Sequence, residues 1–250
     1  MRKRKNRIIL RVILTLSRSA KIIKSLAHFK NTRMTRIVLV LAFFLISGSL
    51  QAQRLEIGVY TEPQFAWLSS DEGRIINNGS ILNLNTGIEF NIFFMPNYAF
   101  SFGVNVNNQG GRLIYTDTTN FQQLNSVLEI PGGSSVKHNL QYLGVPLGLK
   151  LKSEEMGYTT FYVYGGLSPL FNMKASTSSE QIPLDRANIK PEINIFSLNY
   201  FFETGIEYRL AGNTALIVGF KWSAGFNDVT SNDYANNNLY SAGLHLGVVF

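Results

Sequence analysis

The chain has 250 residues with 7 prolines, no cysteine and a formal charge of +7. Without cysteine there is no disulfide framework, thiolate metal site, thiol nucleophile or acylated lipoprotein anchor. The charge is unevenly placed: residues 1–53 hold 12 of the 23 basic residues and no acidic one, leaving 11 basic against 16 acidic in residues 54–250. The basicity therefore belongs to the leader, and nucleic acid is not an expected partner.

Residues 1–33 are strongly basic and precede a second start at Met34. They read either as a targeting extension or basic amphipathic surface helix, or as sequence upstream of the true start; the second is the simpler reading. Residues 34–52 have the parts of a secretory signal peptide: Met34-Thr35-Arg36, an apolar run over 37–46, then small and polar residues. That run is too short for a spanning helix of roughly 20 residues. Cleavage is expected between Ala52 and Gln53.

From residue 53 onward the apolar period is 2. In 82–92 one parity reads Leu, Leu, Thr, Ile, Phe, Ile and the other Asn, Asn, Gly, Glu, Asn. The same two-faced pattern recurs at 98–107 and 198–210, which marks strands with one apolar and one wet face. Eight strands are expected, at about 54–68, 80–94, 98–116, 136–152, 159–175, 195–210, 214–227 and 238–250. Connections after the even strands are tight (96–97, 154–158, 211–213), and those after the odd strands are long and polar (69–79, 117–135, 176–194, 228–237). Short turns on one side and long loops on the other are the outer-membrane arrangement, with both termini on the periplasmic side.

The expected fold is therefore all-β: an eight-stranded antiparallel up-and-down transmembrane β-barrel over 53–250. A soluble calyx would bury its apolar parity, whereas a membrane barrel turns it outward. Each strand devotes five or six large residues to that parity, too many for the tapered inside of a small barrel. Trp67, Trp222, Tyr98, Tyr200, Tyr208 and Tyr240 are candidates for interfacial girdles. The closing strand ends on Phe250, which resembles the C-terminal signal that barrel-assembly machinery reads.

The inward parity should carry the charges Glu56, Glu89, Lys150, Glu203, Glu207, Arg209 and Lys221. A turn that sets Leu210 opposite Thr214 pairs Glu203 with Lys221, Phe202 with Trp222 and Tyr208 with Leu216. Such a cluster is either a selectivity constriction or proton-active site, or the side-chain filling that an eight-stranded barrel needs. Filling is the favoured reading.

His138 and His245 lie far apart in sequence and outside any Ser/His/acid spacing. No catalytic residue, metal ligand set or cofactor is expected. The loop over 117–135 carries Phe121, Leu124, Val127, Leu128 and Ile130. It is more apolar than a solvated loop needs to be, and reads as a partner-docking surface, a cover over the mouth, or a self-packed loop.

The run 138–150 (HNLQYLGVPLGLK) resembles the YLeiPlllK strand of the PorT-like outer-membrane barrel family of Bacteroidota, and 161–167 (FYVYGGL) resembles that family's next strand. The resemblance extends over 54–250. Gly144 stands where that family favours a larger or acidic residue, and Pro146 inside a strand is read as a local bulge. Members mostly lack an assigned activity, and some resemble parts of secretion and gliding machinery. The resemblance thus implies a non-enzymatic barrel with a binding or envelope-assembly role through its loops or periplasmic rim. Its partners would be outer-membrane lipid, the assembly machinery and a protein at the extracellular loops. A narrow porin-like channel is the alternative, and a lipid-modifying enzyme a distant third.

Overall fold

The computed structural model describes residues 54–250 apart from 72, 123–126, 180, 182–183 and 231–236. The basic extension, the signal segment and the expected cut at Ala52 and Gln53 lie outside the described residues.

Alternation of apolar and polar residues commits each segment to a strand, and hydrogen bonding to neighbours on both sides closes the sheet on itself. The ring runs β1 (Leu55–Ser70), β3 (Ile81–Met95), β4 (Tyr98–Tyr115), β7 (Ser134–Gly144) with β8 (Leu147–Lys152), β9 (Thr159–Ser179), β11 (Phe196–Ala211), β12 (Thr214–Gly225) and β13 (Asn237–Val249). β13 returns antiparallel to β1, with Gly58 opposite Val249 and Trp67 opposite Tyr240. Phe250 completes the seam: its N–H donates to the Ile57 carbonyl at 2.9 Å, and the Ile57 N–H donates to its carbonyl at 3.2 Å. Because β7 and β8 occupy one place in the ring, the ring among the described residues has eight strands, each paired on both sides.

The sequence predicts an unbroken fourth strand over 136–152 with a bulge at Pro146. Instead the strand pauses at Val145-Pro146 with no residue inserted. β4 pairs Asn105 with Gly144 on one side of the pause and Phe102 with Leu147 on the other, in one continuous register. Proline removes a single N–H from the ladder. Its carbonyl still accepts from Gly103 at 3.0 Å, and the Val145 N–H donates to the Pro169 carbonyl at 2.9 Å. The bulge falls instead on β9, where pairing shifts by one residue between Lys174 and Asn172.

Polarity is inverted relative to a water-soluble barrel. Leu82, Leu84, Val104, Leu149, Phe161, Phe202, Phe220 and Leu244 are exposed around the outside, while Asn91, Ser101, Asn105, Glu203 and His245 are buried inside. An outer wall of this kind is a surface for lipid. Aromatics ring it at two heights: Tyr98, Tyr158 and Tyr208 stand near the short turns. Trp67 stacked on Tyr240 (5.9 Å) and Tyr200 against Trp222 (5.5 Å) lie near the long loops.

The long connections are built. β2 (Ile75–Asn77) extends the sheet along β4, β10 (Leu184–Asn188) lies along β9, and β5 (Thr119–Gln122) pairs only with β6 (Val127–Ile130) as a separate hairpin. The short 3-10 helix Lys190–Glu192 leads into β11.

Candidate functional site

Interior positions nearest the short turns carry one chain of ion pairs. The Lys152 ammonium lies 2.6 Å from both Glu56 and Glu207, and Lys150 lies 3.1 Å from Glu207 and Glu89. Arg54 caps the end of the chain on Glu56 at 2.5 Å. Lys150 has no solvent exposure, and its ammonium also sits 4.6 Å over the Tyr162 ring.

A second group lies further in. Lys221 is 2.8 Å from Glu62 and 3.7 Å from Glu203, and the His245 Nδ1 is 2.8 Å from Glu62 and 3.5 Å from Glu203. The Tyr162 hydroxyl donates to Glu203 at 2.8 Å, and Tyr60 lies on the His245 ring at 4.6 Å. Space for the Tyr162 ring comes from Gly205 and Gly219, since a Cβ at Gly219 would overlap its hydroxyl. In total five buried carboxylates (Glu56, Glu62, Glu89, Glu203, Glu207) meet the ammonium groups of Lys150, Lys152 and Lys221 and the His245 imidazole. Charges removed from water survive only with such pairing.

Above the charges, Gln64, Asn105 and Asn107 fill the lumen, with Gln64 donating to Asn107 at 2.7 Å and Asn105 donating to the Tyr60 hydroxyl at 3.1 Å. A Cβ at Gly144 would collide with the Asn105 amide, which is why glycine is suited to this position. At the long-loop end the interior becomes apolar: Leu68, Leu113, Tyr115, Val136, Leu140, Ile189, Ile193, Val229 and Leu239 form one core. Phe121 and Ile130, from the β5–β6 hairpin, complete it at 2% and 0% exposure. The described strands of the loop at 117–135, β5 and β6, thus fold over the barrel mouth.

Residues 51–249 match the family described as outer membrane protein beta-barrel domain. The chain belongs to that family. As an outer membrane protein beta-barrel domain it is an outer-membrane protein, and its wall and girdles are matched to that setting. Solved structures to which the chain is similar include Neisserial surface protein A, at 14% identity and a TM-score of 0.46 over 80% of this chain and 98% of that one. The outer membrane protein OprG of Pseudomonas aeruginosa follows at 11% and 0.41, covering 79% and 97%. The attachment invasion locus protein Ail of Yersinia pestis, solved with the heparin analogue sucrose octasulfate, matches at 10% and 0.39, covering 79% and 99%. Comparison with curated protein sequences finds no match.

Within this outer membrane protein beta-barrel domain, Glu56, Glu89, Lys150, Glu203, Glu207 and Lys221 all lie in the interior, and Glu203 faces Lys221, Phe202 faces Trp222 and Tyr208 faces Leu216 in the ladder. Two expectations are corrected. Arg209 has inward parity but stands at the rim, half exposed, where it pairs with Glu155 of the β8–β9 turn at 2.5 Å. Parity sets the face of a residue, while its depth depends on where the strand leaves the membrane. Thr214 faces Ala211 instead of Leu210, because the pairing shifts by one residue just before the turn.

Glu62 and Lys152 join the cluster without having been singled out, although each shares the parity of Glu56 or Lys150. His245, for which no catalytic or metal partner is expected from sequence, meets carboxylates from β1 and β11. The Glu62, Glu203 and His245 ligand atoms come within 4.8 Å of one another, a spacing a metal ion could use. Sequence distance alone was therefore no argument against such a cluster. Here the Lys221 ammonium already supplies a cation to both carboxylates.

The second histidine lies beyond the outer edge of the apolar wall. The His138 Nε2 is 3.0 Å from the Tyr115 hydroxyl, with the Phe121 ring edge-on at 5.9 Å and Glu192 lining the same small cavity. Burial pushes its pKa down from 6.5 to about 4, so the imidazole is held neutral. The unfolded chain then binds a proton that the folded one refuses. Stability from this site is fully present above pH 6.5 and is lost as pH falls towards 4. A loss on the order of 3 kcal/mol is expected over that window. Urea unfolding of wild type and His138→Gln at about pH 7.5, 5.5 and 4 checks it: the gap between the two proteins should narrow or reverse in acid, and a pH-independent gap rules the effect out.

Proposed function

We propose that this barrel is a plugged, non-enzymatic outer-membrane protein whose working surfaces are its long extracellular loops and periplasmic rim, serving binding or envelope and secretion assembly. The observation that carries this reading is the continuous filling of the lumen, with paired charges at one end, amides at mid-depth and an apolar core closed by the β5–β6 hairpin at the other. A narrow channel for small solutes would need the Lys150 and Lys221 ion pairs to part. A lipid-modifying enzyme would need a nucleophile beside a base. Both described histidines are buried, one against Tyr115 and the other against carboxylates.

The resemblance of 138–150 and 161–167 to PorT-like barrels supports an assembly role. The leader pattern supports export through a signal peptide cut between Ala52 and Gln53. The exposed ring of Phe250 at the closing seam supports recognition by the barrel-assembly machinery.

Planar-bilayer recording tests the reading. Wild type should insert without stable conductance steps, and Glu203→Ala or Lys221→Ala should create no discrete pore while the hairpin still covers the mouth. Reproducible steps in wild type that change size in either variant would make the protein a channel with its constriction at that pair.

A further inference from the structure

The outer surface of β4, β7 and β9 changes character at one row of residues. Val106, Leu143 and Phe171 stand side by side and form the outermost row that is apolar on all three strands. The next outward row is Asn108, Gln141 and Lys174, with Gln141 donating to Asn108 at 2.9 Å. Above it come Gly110, Asn139 and Ser176, and then Arg112, Lys137 and Ser178. This face thus offers three cations, several amides and hydroxyls, and no carboxylate in any of these rows.

Arg112 and Lys137 open into a groove with a volume of about 560 Å³, bounded by Asn78, Ser135, Ser178, Ser179, Gln181 and Leu184. The rim is fixed by its own hydrogen bonds: Asn78 donates to the Ser135 hydroxyl at 2.8 Å, the Ser135 N–H donates to Gln181 at 2.8 Å, and the Ser179 hydroxyl donates to the Ser135 carbonyl at 2.8 Å. Among the described residues no carboxylate pairs with Arg112, Lys137 or Lys174. The interior, by contrast, pairs every lysine it holds.

Cations left unpaired beside a membrane call for an anion. Two residues along a strand advance about 7 Å. At a strand tilt of about 40°, Lys174 then stands roughly 5 Å above the apolar edge and the Arg112–Lys137 pair roughly 15 Å above it. That column is too tall for a single glycerophospholipid phosphate, and suits an extended headgroup that carries anions at more than one height.

We propose that the outer face of β4, β7 and β9 binds the polyanionic, phosphate-bearing saccharide headgroup of an outer-leaflet glycolipid. In this site Lys174 meets the anion nearest the acyl chains, Arg112 and Lys137 meet an anion further out, and the amides and hydroxyls of Asn139, Ser176, Ser178 and Gln181 face the sugars. The acyl chains lie on the Val106, Leu143 and Phe171 row, which makes the lipid, and not a free saccharide, the occupant.

The test uses the full protein purified from membranes in dodecyl maltoside and titrated with rough lipopolysaccharide, with phosphatidylglycerol, and with the core saccharide released from its lipid. Saturable binding of lipopolysaccharide that weakens with salt is expected, and the Arg112→Gln/Lys137→Gln pair should weaken it at least about tenfold. The charge-retaining Arg112→Lys/Lys137→Arg pair should stay within about threefold of wild type. Folding of each variant is read from its heat-dependent gel mobility. Should the glutamine pair fail to fold, Lys174→Gln and Lys137→Gln are measured singly, each with an expected loss of about threefold or more. Unchanged binding in folded glutamine variants overturns the proposal. So does phosphatidylglycerol or free saccharide binding as tightly as lipopolysaccharide.

Discussion

Replacing Lys150 with methionine is expected to destabilise the folded barrel by about 3–5 kcal/mol, the range for breaking a buried ion pair from one side. Methionine fits the volume, so the loss comes from the charge. Among the described residues, Glu89 then keeps the Asn91 amide at 3.2 Å as its hydrogen-bond partner, and Glu207 keeps Lys152. Neutralising the stranded partner separates charge from packing: Lys150→Met with Glu89→Gln should recover at least half of the loss, because Glu207 remains paired. Urea titration in lipid vesicles, followed by gel mobility, reads both variants. A single variant as stable as wild type would mean that water reaches Glu89, and that the lumen is wet.

A second large effect is local. Phe121→Ala in the β5–β6 hairpin should cost about 3–5 kcal/mol of hairpin docking, since its ring packs edge-on to Tyr115 at 5.3 Å and to His138 at 5.9 Å. The hairpin pairs with no barrel strand, so the loss is confined to it. Opening should become roughly a hundredfold or more frequent. Brief protease treatment should then cut near 117–133 far faster than in wild type, while the unfolding transition of the barrel itself stays within about 1 kcal/mol. Equal cleavage rates would show that the hairpin does not close the mouth.

Much of the architecture is written in period and punctuation. Strict alternation placed the ends of the eight ring strands within about two residues of those observed, except that β9 runs on to Ser179 to pair with β10. The spacing around Ala211 and Asn213 was enough to pair Glu203 with Lys221. Depth and closure were less legible. Arg209 shows that parity names a face without saying whether that face is buried there. Glu62 was legible, on the same buried parity of β1 as Glu56. Lys152 was legible in the same way beside Lys150.

The meeting of Glu62, Glu203 and His245 depends on closure. β13 must return to β1 before a histidine near the end of the chain can touch a carboxylate near its start, and no local pattern encodes that contact. The β9 bulge and the pause at Pro146 have the same origin. A proline predicts one lost hydrogen bond, but whether the strand bulges there is decided by how the neighbouring strands pair.

The measurement closest to the central claim, a lipid-facing exterior around a filled interior, exploits the absence of native cysteine. Val104 and Asn105 are neighbours on opposite faces of β4, one exposed on the wall and the other buried in the lumen. Each is replaced singly, as Val104→Cys and Asn105→Cys, and both proteins are studied in proteoliposomes. A fluorophore attached to the Val104→Cys protein should be quenched by nitroxide-labelled lipid. The thiol of the Asn105→Cys protein should react with a small cationic methanethiosulfonate at least about a hundredfold more slowly than a cysteine on an exposed loop, because local opening must come first. Rapid reaction of the Asn105→Cys protein, approaching the loop rate, would mean a water-filled lumen and would contradict the plugged barrel.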